Sequence, residues 1–416
     1  MMEAKILFLH FTKRPIRYSV VCLTCLMSTH GMAEIETNNP ITFNAAAGWT
    51  HDDNLFRVAS NPQSDTIRRL TLGTVIDVPV SLQRLSVEAT VSDNHYQHFS
   101  HLDYVGGRAK GAWNWRIGDR LFGDAGYEYN RIIADFGDLQ SQSRDLITQE
   151  TPFFSINYAL TPEWQLIGQL ARSDTEHDNT ARNSLDSHVN TESAGVQYTT
   201  GANNTVGFRV RQSDANYPNR ESIALIDAQG NSIGNVQQVN NGYREQEASI
   251  FTTWNLSGVS LITARLGHTQ RKHDELSSRN FSGATGDLTY HWVPSEKTSI
   301  DVNAYRQIRS SDDLSASYVL FRGIAIAPVW KVSPLIALKL RSMREFRSYD
   351  GGPSLALDNG APRKDSFQST QISMTYTPPI RNTEIVIAIE TGKRDSNMNT
   401  FDYSYKLASG QIKLSF

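Results

Sequence analysis

The chain ends with the residues QIKLSF, numbered 411–416. Apolar and polar side chains alternate in this stretch, so Ile412, Leu414 and Phe416 share one face of a predicted strand. Soluble proteins rarely leave such an apolar strand at a sheet edge, because a free edge promotes aggregation. The pattern is typical of the closing strand of a membrane-spanning barrel, whose apolar face meets lipid and whose edge pairs with the first strand.

The same alternation recurs along the chain from residue 41 onward. Leu85, Val87 and Ala89, for example, alternate with Ser86 and Glu88. No convincing helical period lies between these stretches, which favours a meander of antiparallel strands closed into an all-β barrel. The predicted strands cover residues 41–50, 64–78, 82–92, 102–116, 121–131, 147–160, 163–172, 187–200, 204–213, 243–255, 259–270, 280–293, 298–309, 316–331, 335–345, 365–377, 383–394 and 401–416.

Short and long connections alternate between these strands. Eight are short and rich in Pro, Gly or Asn, and nine are longer and polar. Outer-membrane barrels have this asymmetry, with short periplasmic turns and long extracellular loops. The pattern therefore predicts an up-and-down outer-membrane barrel of 18 strands, with 16 as the alternative, and places both termini on the periplasmic side.

Aromatic residues near the short turns resemble the girdle that such barrels place at the membrane interface. The members of this predicted girdle are Trp113, Trp115, Phe122, Trp164, Trp254, Trp292 and Trp330. Packing inside a soluble sheet is the alternative explanation.

Residues 1–33 have the features of a secretory signal peptide. Basic residues precede a short apolar run at 18–27, and Gly31-Met32-Ala33 places small residues at a predicted cleavage site. Lipidation at Cys22 or Cys25 is the alternative, although neither is preceded by the expected small residue. Both cysteines of the chain lie in this segment. The mature protein is therefore expected to have no disulfide and no cysteine-based site.

Composition narrows the function classes for the remaining domain, residues 34–416. The chain has 416 residues with a formal net charge of −3, and removal of a basic signal peptide makes it more acidic. This balance argues against a nucleic-acid partner. The mean hydropathy is −0.42, yet a polar chain crosses a membrane as a barrel when only alternate residues face lipid.

A barrel of 16 to 18 strands is too wide for its own side chains to fill, and it usually encloses an aqueous channel. The strand phase predicts an interior lining of charges of both signs, which tune the selectivity of a pore. The alternative is that these residues only pair with one another. The predicted lining includes Glu88, Arg108, Lys110, Glu128, Arg209, Arg211, Arg265, Asp301, Lys339, Arg341 and Glu390.

The alternation of apolar and polar residues changes its phase near the C-terminus. Tyr403 and Tyr405 have the opposite parity to Ile412 and Leu414. Either a β-bulge lies near residues 408–410, or the two tyrosines face the interior.

Few residues suggest chemistry of their own. His95, His98 and His101, with Asp93, fall in a predicted long loop at 92–101. Their spacing suits a helix face but alternates sides on a strand, so we expect a solvated polar loop and no metal site. The sequence has no GxSxG elbow and no HExxH helix, so no catalytic residue, cofactor or enzyme activity is predicted.

Residues 48–57 read GWTHDDNLFR, and Ser64-Asp65-Thr66-Ile67 follow them. This stretch resembles the first hairpin of a bacterial barrel family associated with exopolysaccharide biosynthesis, the exosortase-associated transporters called EpsL. The resemblance rests on about 20 residues. It implies an outer-membrane barrel that helps secreted polysaccharide to cross the outer membrane. The motif, which is expected at the outer rim, consists of Asp52, Asp53, Asn54, Leu55, Phe56 and Arg57.

The expected function is therefore a passive, hydrated conduit for extracellular polysaccharide, gated by long loops such as 214–242. Expected partners are the polysaccharide, outer-membrane lipid, periplasmic export components and the barrel assembly machinery, for which Phe416 is the candidate signal. A diffusion porin for small solutes is the alternative, and a barrel hydrolase comes third.

Overall fold

The computed structural model describes residues 40–139, 141–223, 237–275, 277–310, 318–350, 362–380 and 382–416. Eighteen antiparallel strands form one closed sheet in which the first strand pairs with the last. They are β1 (Ile41–Asp52), β2 (Asp65–Val80), β3 (Gln83–Tyr96), β4 (Tyr104–Ile117), β5 (Leu121–Ile133), β6 (Leu146–Ala159), β7 (Trp164–His177), β8 (Ser187–Thr199), β9 (Thr205–Asn216), β12 (Tyr243–Ser257), β13 (Ser260–His273), β14 (Phe281–Ser295), β15 (Thr298–Ser310), β16 (Tyr318–Ser333), β17 (Ile336–Asp350), β18 (Lys364–Tyr376), β19 (Thr383–Ser396) and β20 (Tyr403–Ser415). A separate hairpin in the loop after β9 consists of β10 (Glu221–Ile223) and β11 (Gln237–Val239).

The helical segments are short. The helix α1 spans Phe136–Leu139, and 3-10 turns occupy Ser100–Leu102, Thr180–Leu185, Ser277–Arg279 and Asn399–Phe401. No helix in the described part of the chain is long and apolar enough to cross a membrane.

The prediction of an 18-stranded barrel is confirmed, and the strand boundaries agree within a few residues. The main difference is that several strands extend further toward the long loops. β3, for example, continues to Tyr96, so Asp93 and His95 lie on a strand and the prediction of a loop there is wrong. The predicted signal peptide at 1–33, with both cysteines, lies outside the described residues.

The outward face of the barrel carries an exposed apolar belt. Leu72, Leu266 and Ile389 are 63%, 70% and 58% exposed, although each lies in the middle of a strand. Exposed aliphatic side chains at mid-strand positions all round a closed sheet are expected only where lipid covers them. Apolar residues occur at every second position because lipid, rather than a protein core, covers the outward face of each strand.

Most of the predicted girdle lies on this outward face. Five tryptophans are exposed near the short turns: Trp113, Trp164, Trp254, Trp292 and Trp330. Two predicted members differ. Phe122 faces the interior, where Arg116 lies 4.9 Å from its ring centroid. Trp115 has the same outward phase as Trp113 but is buried and stacked on Phe154.

The last strand closes the barrel without a bulge. β20 pairs with β1 from Asn44–Ser415 to Asp52–Leu407, and with β19, in continuous register. We call the pairing of β1 with β20 the barrel seam. Phe416 extends it, because its backbone N–H donates to the carbonyl of Phe43 at 2.8 Å. The alternative of a bulge at 408–410 is therefore wrong, and the two terminal tyrosines face the interior, where both are buried.

Candidate functional site: the barrel interior

The chain after β5 turns into the barrel and reaches the far side of its interior. We call residues 134–139 the interior loop. Asp138 Oδ1 lies 3.1 Å from Arg394 Nη2 on β19 and 3.5 Å from Arg347 Nη1 on β17. Arg394 Nη1 also donates to the carbonyl of Gly137 at 2.8 Å. Since β17 is eight strands away from β5 in a ring of 18, the interior loop extends almost to the opposite wall.

Apolar packing and a local cap hold this loop in place. Phe136 and Leu139 are buried in a small core with Leu55 and Phe56, and the rings of Phe56 and Phe136 meet edge to face at 5.2 Å. Asp135 caps α1, since its Oδ1 accepts the N–H of Gly137 at 2.7 Å. The loop is therefore fixed at its base by contacts among the first connections of the chain.

A glycine lies where the loop meets the far wall and allows the close approach. A β-carbon added to Gly137 would lie 2.9 Å from the hydroxyl of Tyr403 and 3.3 Å from Arg394 Nη2. A larger residue here would push the loop away from the arginines that it contacts.

The two carboxyl groups of the loop have opposite electrostatic surroundings. Burial, together with the neighbouring charge of Asp138, raises the pKa of Asp135. Burial would also raise the pKa of Asp138, but Arg394, Arg347 and Arg363 outweigh it and lower that pKa. Asp138 therefore carries a negative charge at neutral pH and is the residue that attaches the loop.

Arginines on the far wall are held against aromatic rings. Arg363 lies 4.0 Å from the centroid of Tyr349 and 2.6 Å from Asp365 Oδ2. Arg394 lies 4.7 Å from the centroid of Tyr403. Ring contacts and carboxylates fix these guanidinium groups in place, so the wall that receives the interior loop is rigid and charged.

A second charged network lies on β9, β12 and β13. Arg211 contacts Glu245 at 2.8 Å and Glu247 at 3.2 Å, Arg265 contacts Glu247 at 2.8 Å, and Arg271 contacts Glu245 at 2.7 Å. The carboxylates and Arg271 were not among the predicted lining residues. The sequence does contain the signal, because residues 243, 245 and 247 alternate in the same phase as the rest of the inward set.

The predicted lining residues are spread round the ring rather than brought together. All eleven lie on the strand face opposite to the exposed apolar side chains. Lys110 pairs with Glu128 on the next strand. Glu390 accepts a hydrogen bond from Tyr405 at 2.6 Å and one from Gln371 at 3.0 Å. Their role in a transport path stays a prediction.

The family-like motif joins the first hairpin to the last strand at the outer rim. Arg57 makes a bidentate pair with Asp52 at 2.8 and 2.9 Å, and its guanidinium lies 3.9 Å from the ring centroid of Tyr405. Asn54 Nδ2 donates to the carbonyl of Ser404 at 2.9 Å. Arg57 has a φ of 55°, an unfavourable backbone conformation that these contacts offset. The motif thus links the loop after β1 to β20 at the place where the barrel closes.

Two of the three histidines pair with separate acidic residues, and His101 Nε2 lies 2.9 Å from the backbone carbonyl oxygen of Gln142. His95 lies 3.1 Å from Asp93 and 2.9 Å from Asp103, while His98 lies 3.1 Å from Asp65. Within the described ranges, no group of three or more His, Cys, Asp or Glu side chains is placed to hold a metal ion.

Only part of the predicted gating loop at 214–242 falls in the described ranges, which omit 224–236. Its described ends form the end of β9 and the β10–β11 hairpin. A gating role for this loop stays a prediction. No pattern in the sequence predicted that the interior loop enters the barrel.

No protein-family model matches the chain, and no curated protein is significantly similar to it in sequence. Solved structures are similar in fold. OccK2 (OpdF) from Pseudomonas aeruginosa is 10% identical and aligns over 91% of this chain and 97% of its own, with a TM-score of 0.50. OccK2 in complex with glucuronate covers 91% and 98% at 11% identity and a TM-score of 0.49. The outer membrane protein opdK from the same organism covers 90% and 99% at 11% identity, with a TM-score of 0.48.

The chain has the fold of an 18-stranded outer-membrane β-barrel. In a closed barrel with an exposed apolar belt each strand pairs with a neighbour on both sides, so the sheet has no free edge while its outer face meets lipid. The protein is therefore an integral protein of the outer membrane of a Gram-negative bacterium.

Proposed function

We propose that the protein is a passive diffusion channel for small solutes. The observation that supports this most strongly is the interior loop, which contacts Arg347 and Arg394 on the far side of the ring. An 18-stranded barrel otherwise has a wide aqueous interior. A loop fixed across it leaves narrower passages, and the charged groups that line them select solutes by size and charge.

Solute flux through reconstituted protein tests this proposal. Purified barrel is inserted into liposomes, and swelling is measured in neutral sugars of increasing mass, with ion conductance measured in planar bilayers. We expect rapid entry of monosaccharides, a steep decline for larger oligosaccharides, and steady conductance without any energy source. Folded protein that conducts neither ions nor monosaccharides would overturn the proposal.

Export of polysaccharide is the second candidate, and the resemblance at residues 48–57 is the observation that favours it. Four of the motif's side chains are engaged within the barrel wall and its loops. Asp52, Asn54, Leu55 and Phe56 are between 2% and 4% exposed, so a passing polymer has little access to them. The motif thus supports a shared rim architecture more than a shared substrate, and we rank small-solute diffusion first.

A clean deletion strain separates the two functions. Diffusion predicts slower uptake of small solutes with normal surface polysaccharide. Export predicts the reverse, loss of surface polysaccharide with unchanged uptake. Complementation with the intact gene must restore whichever property is lost.

A further inference from the structure

Three arginines lie side by side on the outer surface of the barrel. Arg306 on β15 and Arg322 on β16 are direct cross-strand partners. Arg344 on β17 is the partner of Ile324, the outward position next to Arg322. Ile324 is 55% exposed and belongs to the apolar belt. The three guanidinium groups therefore face the membrane side of the wall.

Their position along the barrel axis places the three arginines at the outer edge of the apolar belt. Along β16 the outward positions run from Trp330 near a short turn, through Ile326 and Ile324, to Arg322. Eight residues at about 3.3 Å each, on a strand tilted by roughly 40°, span about 20 Å along the barrel axis. The apolar band of such barrels is about 25 Å tall. The arginines thus lie where the headgroups of the outer leaflet begin.

These arginines have no carboxylate partner among the described residues. Arg306 donates to the backbone carbonyl of Ala284, and Arg344 lies 5.1 Å from the ring centroid of Phe346. No hydrogen bond or ion pair within the described ranges engages Arg322. Three adjacent cations at a membrane surface repel one another unless an anion lies between them.

Two other outward-facing arginines of this barrel form ion pairs with carboxylates. Arg172 contacts Asp174 at 2.9 Å, and Arg244 contacts Asp214 at 2.6 Å. Outward-facing arginines can thus form ion pairs on this surface, but the three adjacent arginines have no carboxylate partner among the described residues.

An apolar groove lies beside the arginines. Its volume is about 500 Å³, and side chains of Leu266, Leu288 and Ile324 border it. Ala264, Ala284, Gly286 and Ala304 provide little side-chain bulk, which leaves room above the backbone. A groove of this kind, open to the membrane and continuous with the belt, suits an acyl chain.

We propose that Arg306, Arg322 and Arg344 bind the phosphate groups of an outer-leaflet lipid whose acyl chain lies in this groove. The planar guanidinium group donates two parallel hydrogen bonds to phosphate oxygens, which makes arginine well suited to phosphate binding. Charge complementarity favours a phosphorylated lipid over a zwitterionic or neutral one. A second copy of the chain would have to bring an anionic surface of its own to this patch.

Native mass spectrometry of the detergent-solubilised full-length protein tests the proposal, with bis-phosphorylated lipid A and its dephosphorylated form as probes. We expect the wild type to bind the phosphorylated probe. The triple variant R306Q/R322Q/R344Q should bind it roughly a hundredfold more weakly, because each arginine near a charged lipid surface contributes about a fivefold factor. The single variant R322Q should show an intermediate loss, and heat-modifiable migration in gels verifies that each variant is folded.

The variant R172Q/R244Q/K393Q is the matched control, since it removes three outward charges that are already paired. It should bind the phosphorylated probe like the wild type. Equal binding by wild type and R306Q/R322Q/R344Q would overturn the proposal, and so would wild-type affinity that does not depend on the phosphates. A smaller oligomer in the triple variant, with lipid binding unchanged, would instead assign the patch to a contact between copies.

Discussion

The carboxylate of Asp138 lies 3.1 Å from Arg394 Nη2, and this contact joins a loop after β5 to a strand six positions away around the ring. The same carboxylate lies 3.5 Å from Arg347 Nη1 on β17. Both arginines are almost fully buried, and each has one further carboxylate nearby, Glu345 at 2.8 Å from Arg347 and Asp365 at 3.7 Å from Arg394. Removing Asp138 therefore takes one carboxylate out of a buried charge cluster. The far end of the interior loop is thus attached to this wall by the carboxylate of Asp138 and the carbonyl of Gly137.

Replacing Asp138 with asparagine should release the interior loop. Loss of the charge pairs weakens the attachment by about 3 kcal/mol, which shifts a two-state equilibrium more than a hundredfold. We expect a larger single-channel conductance and entry of larger sugars in liposome swelling.

The neighbouring variant Asp135→Asn is the control for Asp138→Asn. The amide oxygen can still accept the N–H of Gly137, and the substitution removes a carboxylate whose ionised form burial disfavours. Conductance should stay at the level that the wild type has while Asp135 is protonated. If both variants widened the channel equally, the Asp138–Arg394 contact would not be what holds the loop.

The conductance should respond to pH in two separate ranges. The pKa of Asp138 is lowered, so its attachment is present above the ordinary aspartate pKa of about 3.9 and is lost only as the pH falls through a still lower value. The pKa of Asp135 is raised by burial, so its contribution is present at low pH and is lost as the pH rises through that raised value.

Conductance measured from pH 3 to pH 8 in the wild type and both variants separates these effects. Asp135→Asn should abolish any change above about pH 4, and Asp138→Asn should abolish the acidic change. A wild-type response above pH 4 that persists in Asp135→Asn would contradict this assignment.

Arg57→Ala should destabilise the barrel seam. Both members of the Arg57–Asp52 pair are less than 10% exposed, and truncating one partner of a buried pair costs about 3–5 kcal/mol of unfolding free energy. Arg57→Lys should show an intermediate loss, because lysine keeps the charge but not the bidentate pair or the stacking on Tyr405.

Urea unfolding in lipid vesicles measures these losses. Arg84→Ala is the matched control, since Arg84 and Asp77 form a pair that is about half exposed and worth less than about 1 kcal/mol. Equal losses for Arg57→Ala and Arg84→Ala would show that the motif does not stabilise the seam.

Phe416→Ser should lower the amount of barrel in the outer membrane of cells while leaving refolding in detergent almost unchanged. The expected reason is that the terminal aromatic residue acts as a signal to the assembly machinery rather than through its packing, since its side chain is 67% exposed. Phe43→Ser is the control, because Phe43 is 58% exposed and pairs with Phe416 through the backbone. Similar membrane levels for the two variants would contradict a signalling role.

The sequence by itself determined the barrel and the face on which each predicted lining residue lies, and it narrowed the strand number to 18 or 16, between which the closed sheet decided. The physical reason is the period of two: lipid requires apolar residues at every second position, so Ile412 and Leu414 identify the outward face and their neighbours the inward one. The parity of Tyr403 and Tyr405 needed the pairing of β20 with β1 and β19, because local alternation cannot distinguish a bulge from inward-facing tyrosines.

Only the tertiary structure decided what lies across the interior. Asp138 and Arg394 are 256 residues apart, and no local period relates a loop residue to a strand on another part of the ring. Closure of the sheet brings them together, and it likewise brings Arg57 onto Tyr405. Contacts of this kind depend on how the ring closes rather than on any neighbour along the chain, so the sequence pattern that determines the wall says nothing about them.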